Sequence, residues 1–175
     1  TEYEAGVIHD VAHYFPGDPG VFVAALLNAR TLQPGEAVFV DPGTVHAYVR
    51  GTGVEVMVNS DNVLRLGLTT KTIAVDAALA AMSTGAQPHP LSPASVDGVA
   101  HYDPAGAPFR VDVVSGATCI ADQGHARIVV CLEGEAKLGE VVLTPGDGAL
   151  LAPGDPQVEV EAHGRAVVAH HIGRG

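Results

Sequence analysis

The residues best able to do chemistry lie between positions 46 and 71. His46 follows a Pro-Gly turn and opens the alternating run "HAYV", so on a strand it shares a face with Tyr48 and can be presented inward beside it. A neutral imidazole is a good zinc donor. Taken alone, such a ring is more often an interior histidine bonded to a neighbour. Glu55 sits in "VEVMV" and faces away from Val54 and Val56. On an interior face its carboxylate would bond a substrate hydroxyl or a ligand, or shuttle a proton; on an exterior face it would be solvated. Arg65 and Lys71 belong to "SDNVLRLGLTTK", an irregular segment suited to a functional loop. They are two of only nine basic residues, and a doubly charged phosphate needs such donors. The structural alternative pairs Arg65 with Asp61 or Asp76.

Other candidates read as bland. His9 and His13 are spaced to share one helix face, but no acidic partner completes a metal site there. His170 and His171 are adjacent, hence on opposite faces of a strand, and read as chain-end polarity. Cys119 and Cys131 are the only cysteines; both lie in strand-like runs and read as buried thiols of a reducing compartment.

The elements that must position these residues are mostly β. Gly and Pro together supply 33 of 175 residues (21 and 12), heavy for a helical bundle and natural for short strands joined by turns. Residues 3–14 read as the end of an amphipathic helix, halted by "FPGDPG". "VFVAALL", "AVFV", "VHAYV" and "VEVMV" read as strands of one block over 21–59, "VDAALAAM" as a helix over 75–82, and "GAQPHPLSP" as an extended linker. From Asp97 onward seven or eight short strands, "VEVEA" (158–162) and "AVVAHHI" (166–172) among them, predict a sandwich or small barrel. An internal repeat ties the halves together: "LQPGEAVFVDPGTVH" (32–46) aligns without a gap to "LTPGDGALLAPGDPQ" (143–157), implying two related β-domains.

With 47% hydrophobic and 17% charged residues the chain should fold, and surface scaling removes about 69% of its unfolded area. Its net charge of −11 repels nucleic acid and anionic membranes. No apolar run approaches a membrane span, and the polar start lacks a signal-peptide layout, so a cytoplasmic protein is expected. The chain opens at Thr1 inside a helical stretch, which predicts a piece of a longer protein.

Gly, a short apolar strand, Pro-Gly, two residues and His resembles the second motif of cupin barrels, whose His binds a metal inside the barrel. The continuation "PGDPGVFVAALLN", "PGTVHAY", "GTGVEVMVNSDNVLRLGLTTK" closely resembles type I phosphomannose isomerases, from about Tyr14 to Lys71. The later half is compatible with that family's carboxy-terminal cupin domain. The resemblance implies a mainly β protein of cupin-type jelly-roll barrels: the end of a helical segment (1–15), the carboxy-terminal half of a catalytic cupin (16–83), a linker (84–96) and a second, metal-free cupin-like domain (97–175). It implies one Zn2+ per complete enzyme with His46 as a ligand, Arg65 in catalysis, and Tyr48 and Lys71 lining the sugar-phosphate pocket. Glu55 and Asp61 are added as candidates, Glu55 for catalysis and Asp61 for substrate binding; the general base is left open between Glu55, Asp61 and the missing K-P-E region. In that family the Q-x-H and K-P-E zinc motifs lie in an amino-terminal portion, ahead of the His of "HAY", and neither occurs ahead of His46 here. The zinc site is therefore incomplete and the chain alone is expected to be inactive. At the position of His46 the second repeat carries Gln157.

The implied activity is interconversion of mannose 6-phosphate and fructose 6-phosphate through an enediolate. The alternative is a non-catalytic cupin module that binds sugar phosphates or oligomerises. An iron oxygenase would need more ligands near His46. A small-molecule sugar phosphate is the expected partner, without nucleic acid or membrane. The open barrel edge along 21–59 predicts self-association.

Overall fold

The structure, a computed structural model, describes residues 1–60, 62–121 and 124–173. It divides into two compact units, Thr1–Pro90 and Leu91–Gly175.

In the first unit, α1 (Glu2–Tyr14) begins with a capping box in which the Thr1 hydroxyl accepts the Glu4 amide. Pro16 and Gly17 follow, as the sequence requires. The run read as strand "VFVAALL" is instead helical over α2 (Gly20–Ala24). Asp18 explains the reversal. Its Oδ1 accepts the Gly20 amide at 2.7 Å, and the carbonyls of Asp18 and Pro19 accept the amides of Val21 and Phe22 at 3.1 and 3.0 Å. Local turn bonds thus override the β propensity of Val and Phe. β1 (Ala37–Phe39) pairs with β2 (His89–Leu91), and α3 (Val75–Ala81) forms where expected.

The expected strands over 45–49 and 54–58 do not form. A strand must hand its amides and carbonyls to a neighbour, and among the described residues these segments have no ladder partner. Their apolar side chains are correspondingly open: Tyr48, Val49, Val54, Met57 and Val58 are all exposed.

The second unit is an antiparallel sheet built on two long strands, β7 (Arg127–Leu138) and β10 (Val158–His171). The sheet also contains β3 (Ala94–Val96), β4 (Val99–Tyr102), β5 (Phe109–Val114), β6 (Ala117–Ile120), β8 (Val141–Leu143) and β9 (Gly148–Leu151). Its order is β3-β4-β5-β10-β7-β8, with β6 on β10 and β9 on β7. Each long strand therefore changes partner along its length, and the sheet rolls around a core that includes Val114, Val129, Ala136, Val160 and Val168. Segments 158–162 and 166–172, read as two strands, are one continuous strand with a bulge between Arg165 and Ala166. The stretch read as linker is extended, and parts of it are hydrogen-bonded as β2 and β3. Of the two cysteines Cys131 is buried, but Cys119 is exposed at a strand position facing away from the core.

The two repeat copies adopt the same turn–strand–turn. At the first turn the Gln33 amide donates to Glu36 Oε2 at 2.8 Å, and the aligned Thr144 amide donates to Asp147 Oδ2 at 2.9 Å. Gly35 and Gly146 both take positive φ there, 87° and 95°, the conformation that a Pro-Gly step supplies. Among the described residues no helix is long and apolar enough to cross a membrane.

Candidate active site

Residues 45–58 bring three of the expected side chains together. The His46 and Tyr48 rings meet edge to face with centroids 6.0 Å apart, and the Tyr48 hydroxyl donates to Glu55 Oε1 at 3.0 Å. Partial burial first, then the hydrogen bond to Glu55 and the negative charge of that carboxylate, raise the Tyr48 phenol above its ordinary pKa. The hydroxyl stays protonated and remains a donor. His46 Nδ1 lies 2.9 Å from the Thr44 carbonyl, which fixes the ring by making Nδ1 the protonated nitrogen and leaves Nε2 with a lone pair. Strand alternation predicts a ring pointing inward; His46 is exposed instead, on a segment outside any sheet.

Arg65 and Lys71 lie on a separate segment, 62–71, which has neither helix nor strand. The Arg65 guanidinium donates only to the Val63 carbonyl, at 3.4 Å, and no described carboxylate lies within ion-pair distance. The alternative of pairing with Asp76 is not realised. Asp61 lies outside the described residues. Among the described residues no hydrogen bond or ring contact joins Arg65 or Lys71 to His46, Tyr48 or Glu55. The turn that ends the segment is local: the Lys71 amide donates to Thr69 Oγ1 at 3.1 Å.

A zinc ion needs about four donors, and among the described residues no group of three or more His, Cys, Asp or Glu is gathered to hold one. His46 alone does not make the site.

The charged cluster with the deepest burial lies in the second unit. Asp112 on β5 receives His101 Nδ1 at 2.7 Å on Oδ1 and lies 2.8 Å from His170 Nε2 through Oδ2, with the Arg110 guanidinium 3.3 Å away. His170 and Asp112 are only 4% and 6% exposed. Burial raises the Asp112 pKa, but the hydrogen bonds of His170 and His101 and the charges of His170 and Arg110 outweigh it and hold the carboxyl below its ordinary value. Reading His170 as chain-end polarity was wrong, because its ring fills a core position. The available signal was alternation: Asp112 shares a face with Val114, and His170 shares one with Val168, which β10 pairs opposite Asp112.

The chain is 36% identical over 172 residues to the mannose-6-phosphate isomerase of Escherichia coli, covering 89% of this chain and 42% of that protein. Over a shorter stretch of 62 residues it is 53% identical to a probable mannose-6-phosphate isomerase of Caenorhabditis elegans, 35% of this chain and 15% of that one. The crystal structure of the Salmonella typhimurium enzyme bound to substrate and a zinc atom superposes with a TM-score of 0.75 and 31% identity, over 95% of this chain and 45% of that one. The apo form of the same enzyme gives 0.74. No protein-family model matches the chain. The chain is similar to the carboxy-terminal part of the mannose-6-phosphate isomerases.

It spans less than half the length of the curated relatives it matches. Its fold is that of the isomerase family, mainly β and of cupin type. His46 ends the first copy of the internal repeat, where the second copy ends in Gln157.

Proposed function

We propose that this chain supplies part of the active site of a zinc-dependent mannose-6-phosphate isomerase acting in the cytoplasm. The observation that carries the reading is the line His46–Tyr48–Glu55: an imidazole with Nε2 free, a phenol kept protonated, and a carboxylate bonded to it. His46 is one donor to a zinc ion whose other donors this chain does not gather; when bound, such an ion acts as a Lewis acid toward substrate oxygens. Tyr48 and Lys71 hold the sugar phosphate, with Asp61 as a further polar group for it. Isomerisation removes a proton next to the carbonyl and returns it to the neighbouring carbon, leaving negative charge on oxygen in between. Arg65, with no carboxylate partner among the described residues, offsets that charge. Glu55 carries a proton between substrate oxygens or carbons, oriented by the Tyr48 hydroxyl.

Because three of about four zinc donors are missing, the 175-residue chain alone does not turn over. The test is the polypeptide made from the complete reading frame that contains this sequence. With zinc it should convert mannose 6-phosphate to fructose 6-phosphate in a coupled assay, while the 175-residue chain does not. A zinc-loaded complete polypeptide that leaves mannose 6-phosphate untouched overturns the reading.

The second reading, a non-catalytic cupin module that binds sugar phosphate or oligomerises, is favoured by the absence of a metal-binding group among the described residues. Calorimetric binding of fructose 6-phosphate to the 175-residue chain without metal would select it. Under either reading, the exposed Val49, Val54, Met57 and Val58, on segments without a ladder partner, favour self-association.

A further inference from the structure

The segment that carries Arg65 and Lys71 has no regular structure, yet its middle is held tightly. Asp18 uses both carboxylate oxygens to do so: Oδ1 accepts the Gly20 amide at 2.7 Å and Oδ2 accepts the Leu68 amide at 3.0 Å, across 50 positions of sequence. Both bonds are partly buried, where a charge-assisted bond gains strength. Two further observations mark the same spot. Gly20 and Gly67 press their backbones together so closely that a Cβ on either would collide with the other stretch of chain. Leu68 itself takes φ 54°, one of two non-glycine residues with positive φ among the described residues, beside Gly67 at φ 154°. Left-handed backbone at a leucine is strained and persists only where the surroundings hold it. The other hydrogen bonds seen in the segment, Arg65 to Val63 and Lys71 to Thr69, are local.

We infer that Asp18 is a positioning residue of the active site: its carboxylate clamps Leu68 and thereby sets where Arg65, three residues before, and Lys71, three residues after, can reach the sugar phosphate. The inference rests on the proposed isomerase function. Asp18 touches no substrate and acts through the loop. Asparagine at this position keeps one acceptor oxygen and turns an N–H toward the other amide, so one of the two bonds is lost with little change in volume. Alanine at Gly67 attacks the same clamp from the other side.

The test joins two readouts. Amide hydrogen exchange on the 175-residue chain should show Leu68 and Gly20 protected, with Asp18→Asn and Gly67→Ala raising exchange at Leu68 while Val129 and Val168, in the second unit, are unchanged. In the polypeptide from the complete reading frame, Asp18→Asn should lower kcat/KM for mannose 6-phosphate about tenfold, mostly through KM, with an unaltered unfolding midpoint. A purely structural role would shift the midpoint and leave the kinetics of the folded enzyme alone, and that outcome overturns the inference. Wild-type exchange at Leu68 as fast as in a free peptide overturns it as well. A wild-type polypeptide without isomerase activity instead overturns the proposed function and takes the positioning role with it, while Leu68 protection still reports whether the clamp exists.

Discussion

Asp112 faces two imidazoles and a guanidinium from inside a β-sheet, and its place there sets a pH dependence. Its folded pKa is lowered relative to the unfolded value of about 3.9. A carboxyl shifted in this direction contributes stability above the unfolded pKa and loses it as pH falls through the folded one. Stability of the second unit should therefore drop on acidification below about pH 4, and Asp112→Asn should flatten that part of the curve. At neutral pH the same substitution leaves the buried His170 and the half-buried Arg110 without their carboxylate and should cost about 3 kcal/mol, read from urea unfolding at both pH values. At the surface the reverse holds. Tyr48 is 78% exposed, so Tyr48→Phe should leave the unfolding midpoint in place and lower isomerase kcat/KM of the complete polypeptide about tenfold, because the hydroxyl that donates to Glu55 and serves the sugar phosphate is lost. The types and spacing of His46, Tyr48 and Glu55 were legible in the sequence, although the strands expected to carry them do not form. The bond between Tyr48 and Glu55 was not, since it depends on how the intervening "GTG" folds back. Asp112 escaped notice, and His170 reads as chain-end polarity, because polar residues on a core face look, in sequence, like an interruption of the pattern.

Among the elements, β7 and β10 carry the second unit, and they cross at one pair of glycines. Gly134 lies opposite Gly164 in the register, with φ of 72° and 141°. A Cβ on Gly134 would run into the His163 carbonyl, and one on Gly164 into that of Glu133. Gly134→Ala should therefore cost at least about 2 kcal/mol, from forced backbone movement added to positive-φ strain, with a lower urea midpoint as the measure. These glycines also explain an error of reading. "AHGRA" looks like a turn between strands because Gly and polar residues cluster there, whereas the chain continues straight through a bulge. The strands between Phe109 and Leu151 were legible as short apolar runs between turns, whereas β4 (Val99–Tyr102) was not among those read. "VFVAALL" was not, since its fate is decided by Asp18 and Pro19 just ahead of it, an Asp-Pro helix start that outweighed the β-branched run.

At the scale of the whole molecule, the difference between the two units is one of completeness. The second gathers its own core, with Val114, Val129, Ala136, Val160 and Ala166 fully buried. The first leaves apolar side chains in solvent along 48–64 and has strand-like segments without partners among the described residues. Sequence patterning marks those segments as strands, but a strand is a property of a pair, and patterning does not say whether the pair is present. The expected physical behaviour is concentration-dependent association of the 175-residue chain, visible in light scattering and reduced by Val54→Lys and Met57→Lys, which place charge on the open segment. A concentration-independent monomer would count against the open edge as an association surface.

Most directly at stake is the proposal that His46 is one donor of a zinc site. Zinc content of the complete-reading-frame polypeptide, measured after dialysis, decides it. Wild type should hold one zinc per chain, and His46→Ala should lose it or bind it at least about tenfold more weakly, with the second unit still folded. A His46→Ala protein that keeps its zinc at wild-type affinity would contradict the assignment.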